Sequence, residues 1–148
     1  IQVEGVGVLG SERQRLMPAD HWDWSIPDNK FTQGWKAGGL VFVGGQISAD
    51  AKARAVGDDL ATQTRNVFQF IRKVLHEAGL EEKDVAKLYT YYYGGESWPD
   101  IARSSAEIQK IQQEFYPAPG PASTAVRVTG FAYENLLIEI EAVAVCRD

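Results

Sequence analysis

From residue 35 onward the apolar and polar positions follow two distinct periods. WKAGGLVFVGGQI (35–47) holds an apolar run, Leu40 to Val43, bracketed by glycine pairs, which predicts a short hairpin and a buried strand. Leu60, Thr64, Val67, Ile71, Val74, Leu75 and Ala78 then recur at helical spacing. Asp58 or Asp59 can cap this helix, and Gly79 fits the position just past its end. DVAKLYTYYYGG (84–95) is rich in tyrosine and reads as a strand, with Tyr89, Tyr91 and Tyr93 on one face and Tyr92 on the other. A second helix starts at Ser97 or Asp100, with Ile101, Ser105, Ile108, Ile111 and Phe115 along one face, until Pro117, Pro119 and Pro121 stop it. Two strands follow, near 123–129 and 136–146, joined by a loop around 133–135. The order is β-β-α-β-α-β-β, an α+β pattern with helices on one face of a mixed sheet.

The first thirty residues keep no sustained period. Met17, Pro18, Trp22, Trp24 and Pro27 predict an irregular arm or a short strand there. The chain therefore divides into an N-terminal arm, 1–30, and one domain, 31–148.

Length and charge narrow the function classes. A chain of 148 residues is large enough for a real hydrophobic core, and no stretch approaches the roughly 18 apolar residues of a membrane helix, so no membrane partner is expected. Net charge is −5 with no Lys/Arg block. Non-specific nucleic-acid binding rests on phosphate neutralisation, so this balance argues against a dedicated RNA or DNA partner. Cys146 is the single cysteine and cannot form an internal disulfide, and no basic segment followed by an apolar one opens the sequence; both are compatible with a cytoplasmic location.

Familiar chemical motifs are absent. GVGVLG (5–10) matches a dinucleotide-binding fingerprint in letters, but only four residues precede it and Pro18 interrupts a following helix. His21, His76 and Cys146 share no ligand spacing, so no metal site is expected. His21 stands in DHWDW, where Asp20 and Asp23 can raise its pKa; the alternative is an arm that merely packs its tryptophans on the body.

The ordered pieces FTQGWKAGGLVFVGGQI, TQTRNVFQFIRKVLHEAGL, DVAKLYTYY, EFYPAPGPASTAV and IEIEAVAV resemble the RidA/YjgF family, also called the L-PSP or translation-inhibitor family. The resemblance runs from about Phe31 to Val145. It implies a chorismate-mutase-like fold and a homotrimer with a central β-barrel, whose ligand sites lie in clefts between subunits. It also implies cofactor-free hydrolysis of reactive imines and enamines to keto acids and ammonia. Glu139, the first glutamate of IEIE, matches the family's water-handling carboxylate. Phe31 stands where the family has a tyrosine, Gly44 where it has a serine, and Ser123 where an arginine binds the substrate carboxylate.

Such an arginine–carboxylate pair contributes about 1.5–3 kcal/mol, or roughly tenfold to over a hundredfold in affinity. Serine offers one neutral donor in its place. The expectation is a hydrolase or deaminase for a small nitrogen-containing metabolite, with Glu139 as general base. Ser123, Thr124 and the main chain at Gly44–Gly45 would orient the substrate, beside an aromatic wall of Phe31 with Trp35 or Tyr91. Arg127, on the same strand face as Ser123 but about 13 Å along it, either reaches a larger ligand or pairs with an acid at a subunit interface. Glu139 and Glu141 share a face, and burial beside each other raises at least one of their pKa values; both can equally be structural. The alternative function is a non-catalytic metabolite-binding or protein-interaction module on the same scaffold.

Overall fold

The computed structural model of the chain describes residues 5–22 and 31–147. Asp23, Trp24 and Pro27 of the arm lie outside them. Six strands are present: β1 (Arg13–Leu16), β2 (Gly34–Ala37), β3 (Leu40–Ile47), β4 (Val85–Tyr92), β5 (Ala122–Arg127) and β6 (Ile138–Val145). Two long helices, α1 (Leu60–Glu77) and α2 (Trp98–Phe115), separate them. The strands form one sheet in the order β1-β2-β3-β6-β4-β5. All neighbours are antiparallel except β4 and β5, a parallel pair that requires a long crossover, supplied by α2.

This is the expected α+β order with one strand added. Part of the arm is regular: Arg13 to Leu16 pair with Ala37 to Gly34. Leu16 is fully buried, so the sheet begins upstream of the predicted hairpin. β5 ends at Arg127, two residues before the expected boundary, and β6 begins at Ile138, two after.

Asp59, and not Asp58, caps α1, accepting from the Thr62 amide at 2.8 Å. Gly79 closes it at φ +76°, and the Gly79 and Leu80 amides return to the carbonyls of His76 and Leu75. Val67, Phe68, Ile71, Val74 and Leu75 face the sheet and are buried. Fully burying one such side chain stabilises the fold by about 1.5–3 kcal/mol. Phe68 also meets Phe115 and Tyr116, with ring centroids 5.1 and 5.6 Å apart, which joins α1 to the end of α2.

Opposite them, β6 contributes Ile138, Ile140, Ala142 and Ala144 to the core, and β4 contributes Val85, Leu88 and Tyr92. Alternation then sends Glu139, Glu141, Lys87, Tyr89 and Tyr91 to the other face of the sheet. The predicted separation of Tyr92 from Tyr89 and Tyr91 holds.

Candidate active site

The glycine pair inside β3 shapes the site. Register against β6 is regular up to Val43–Ala142 and resumes at Gln46–Ile140, so one residue more is used on β3 than on β6. This is a bulge, and it falls at Gly44–Gly45. A Cβ built on Gly45 would overlap the Glu139 carboxylate and lie 2.9 Å from its Cδ. With glycine there the carboxylate folds across the strand; any side chain at 45 would displace it from that position. Gly44 is held on the other side by its amide, which donates to the Gln33 carbonyl at 2.9 Å.

Glu139 opens into a cleft of about 310 Å³. Gly44 and Gly45 form one wall, Phe31, Phe131 and Tyr133 provide aromatic surface, and Ile47 and Leu136 close the apolar part. Thr32 lines the rim, and its hydroxyl accepts from Arg15 Nε at 2.9 Å, so the added strand β1 reaches the site. Glu139 is the one carboxylate in this lining. A larger, shallower groove of about 720 Å³ shares Tyr133 with it and carries Arg54, whose guanidinium is already paired with Asp50 at 2.6 Å.

The loop bearing Phe131 and Tyr133 is fixed from beneath by Gln63 of α1. Gln63 is fully buried, and its amide nitrogen donates to the Gly57 and Asn135 carbonyls at 2.9 and 2.8 Å. Its oxygen accepts from the Leu137 amide at 2.9 Å. This clamp satisfies the backbone just before β6 and sets where that strand, and Glu139 with it, begins.

Burial pushes the Glu139 carboxyl above the usual glutamate range, and the charge of Glu141 two residues away adds to it. A carboxylate so placed binds a proton more readily than one in water, as a group that takes a proton from water must.

Four of the residues singled out in the sequence, Phe31, Gly44, Gly45 and Glu139, line this one cleft. Tyr91 is the cross-strand neighbour of Glu139 on β4 and lies on the same face. Thr124 is on that face too, one strand further out, and its hydroxyl accepts from Lys87 Nζ at 2.6 Å. Ser123 and Arg127 point to the opposite, helix-bearing face. Ser123 borders a cavity of about 410 Å³ with Thr90, Tyr92, Ser105, Gln109 and Gln112, and no Lys or Arg lines it. Arg127 donates to the Gly95 carbonyl at 2.9 Å. Trp35 and Glu141 lie beyond the glycine wall, around a separate depression.

The sequence reading did not single out Phe131, Tyr133, Gln63 or Lys87. Phe131 and Tyr133 stand in a loop with no period, and only their aromatic content between two strands marks them. Gln63 lies at helical spacing from Leu60 and Val67 and is buried with them, but a polar residue inside that stripe carries no apolar mark, and its side chain is spent on backbone groups.

His21 departs from expectation. Its pKa is lowered, chiefly by burial, and the Lys73 charge adds to the effect. The hydrogen bond to Gln46 opposes this most, and Asp20, itself engaged by Lys73 at 2.8 Å, opposes it less; Asp23 lies outside the described residues.

The Endoribonuclease L-PSP family model matches residues 25–146. The chain belongs to the RidA/YjgF family. A RutC family protein of Pyrococcus horikoshii is 34% identical over 119 residues, covering 80% of this chain and 88% of the relative. The 2-iminobutanoate/2-iminopropanoate deaminase of Salmonella typhimurium is 31% identical over 117 residues, covering 79% and 88%. Among solved structures, a YjgF/YER057c/UK114 member from Mycobacterium tuberculosis aligns with a TM-score of 0.71 at 26% identity, over 90% of this chain and 99% of that one. A Rid-family protein of Yersinia pestis aligns with a TM-score of 0.76 at 21% identity, over 90% and 99%. The RidA-family α+β fold, with a six-stranded mixed sheet and two helices, is thus shared. Among the described residues no group of three or more His, Cys, Asp or Glu side chains is placed to hold a metal ion, and no helix is long and apolar enough to cross a membrane.

Proposed function

We propose that this RidA-family chain hydrolyses the C–N bond of a small imine or enamine, without a cofactor, with Glu139 as general base. The observation that carries this reading is a carboxylate of raised pKa in a mostly apolar cleft, with a glycine bulge shaped around it. The relationship to a 2-iminobutanoate/2-iminopropanoate deaminase supports the reaction class.

Water loses a proton to Glu139 as its oxygen bonds to the C=N carbon, and the C=N π pair moves to nitrogen. Glu139 then returns the proton to that nitrogen. Glu139, again deprotonated, then takes the proton of the hydroxyl adduct and passes it to the amine as C=O forms and C–N breaks, which releases ammonia. The cleft's glycine main chain and aromatic rings would hold the substrate flat against the carboxylate.

The active assembly in this reading is a homotrimer with its clefts between subunits. All six residues of β5 are exposed and the outer edge of β5 is unpaired in the sheet, which leaves that strand open to a neighbour. None of Ser123, Thr124 and Arg127 lines the cleft of its own chain, so in this reading a contribution from β5 to substrate binding is made from that edge to a neighbouring subunit's cleft. Ser123, where the family has an arginine, offers one neutral donor, which favours a substrate whose distal group is neutral.

The test follows ammonia release from freshly generated imines and enamines, with and without a carboxylate, in wild type and Glu139→Gln. Turnover by wild type that falls at least about a hundredfold in Glu139→Gln is expected. Ligand affinity without turnover in wild type would replace this reading with the binding module.

A further inference from the structure

Behind the glycine bulge, on the helix-bearing face, lies a closed ring of buried hydrogen bonds. The Trp22 amide donates to His21 Nδ1 at 3.2 Å, and His21 Nε2 meets Gln46 Oε1 at 2.9 Å. Gln46 Nε2 donates to Gln33 Oε1 at 2.8 Å and to the Gly44 carbonyl at 3.0 Å. Gln33 Nε2 donates to the Trp22 carbonyl at 3.0 Å, which closes the ring.

Backbone groups fix the direction of every bond in it. The Trp22 amide can only donate, and the Trp22 and Gly44 carbonyls can only accept. The Gln33 and Gln46 amide nitrogens must therefore face those carbonyls, and their oxygens face Gln46 and His21. His21 is left as the neutral tautomer with its proton on Nε2. His21 is 8% exposed, and its imidazole stacks on Phe70 of α1 with ring centroids 4.7 Å apart. The charged groups facing it are Asp20 on its own segment and Lys73 on α1, paired with each other. Gln33 and Gln46, from the sheet side, bring no charge.

We propose that His21 is a positioning residue for Glu139: through Gln46 it holds the Gly44 carbonyl, and so keeps the Gly44–Gly45 wall seated against the carboxylate on the other face of the sheet. The kinetic part of this role rests on Glu139 being the working base; the structural coupling does not. Protonating His21 sets an N–H against the Trp22 N–H and breaks the ring. The depressed pKa of His21 gives the sign: the ring's contribution is present above the ordinary histidine value of 6.5 and is lost as pH falls from there through the folded value.

Two arms test it on the full chain. In wild type, NMR titration follows the His21 ring, the Gly44 and Gly45 amides and the Glu139 carboxyl carbon. The His21 midpoint is expected below 6.5, with the two glycine amides showing a step at that same midpoint. Glycine amides that follow the Glu139 midpoint alone would overturn the proposal.

In the second arm, His21→Phe keeps the stack on Phe70 but loses both bonds, while His21→Gln keeps a donor toward Gln46. His21→Phe is expected to shift the Glu139 midpoint and to lower kcat about tenfold or more with little change in KM. His21→Gln should shift that midpoint less. Variants that lose melting temperature while Glu139 titrates as in wild type would make His21 a structural residue only. If His21→Phe does not fold, the wild-type titration decides alone. Coupling without turnover would sink the hydrolase reading and leave this one; Glu139-dependent turnover without coupling would do the reverse.

Discussion

A carboxylate seated on a glycine makes two residues depend on each other. Gly45→Ala would drive its methyl group into the Glu139 carboxylate, the end of a flexible side chain that can be displaced, so the cost falls toward the lower end of the about 1–3 kcal/mol of overpacking. The expected result in chemical denaturation is a loss of that size, which shrinks when Glu139→Ala is added because the clash is then relieved. Glu139 itself carries an opposite cost. Its folded pKa is raised, so the unfolded chain releases the proton first, and stability falls as pH rises through the interval between the two values. Glu139→Gln should therefore melt higher than wild type at pH 7, and the difference should close once pH falls below the unfolded value. Equal melting temperatures at pH 7 would mean that Glu139 is solvated in the folded protein. The role proposed for Glu139 rests on the family resemblance, and that it faces away from the core was readable from the IEIE alternation. The role of Gly45 was not, because a close approach across strands depends on register, and the bulge that sets the register shows in the sequence only as two glycines.

At the scale of elements, the site is held by buried amides more than by its own side chains. Gln63 links α1 to the loop before β6, and Gln46 and Gln33 link β3, β2 and the residues preceding them. Gln63→Leu leaves the Gly57, Asn135 and Leu137 backbone groups without their partner, at about 1–3 kcal/mol for a buried unsatisfied group. Urea denaturation should show a loss of at least about 2 kcal/mol, and KM should rise because Phe131 and Tyr133 lose their support. A loss of KM effect with stability reduced would detach that loop from substrate binding. The helices were legible because apolar residues mark them: every predicted apolar position of α1 from Val67 to Leu75 is buried. Glutamines inside the same pattern carry no such mark, so neither the clamp nor the ring was foreseen. β1 was foreseen only as the short-strand alternative for the arm, without bounds, since of its four residues only Leu16 is buried.

At the scale of the whole molecule, β5 is the strand that one chain leaves unfinished. Its six residues are exposed and Val126 presents 45% of its surface. Sedimentation should give a trimer; a monomer at working concentrations would leave Ser123 and Thr124 without a cleft to serve. Within the assembled protein, Ser123→Arg should move preference toward carboxylate-bearing imines by roughly tenfold or more, the worth of one charge-assisted pair. The order of elements and the sheet's two faces followed from periodicity, while the exposure of every residue of β5 at the sheet edge did not. The most direct measurement is the pH dependence of kcat/KM for ammonia release, set beside the NMR titration of the Glu139 carboxyl in the same protein. Activity should rise with pH along an acid limb whose midpoint matches Glu139 and lies above the ordinary glutamate range. An acid limb that does not track Glu139, or that persists unchanged in Glu139→Gln, would contradict its role as the base.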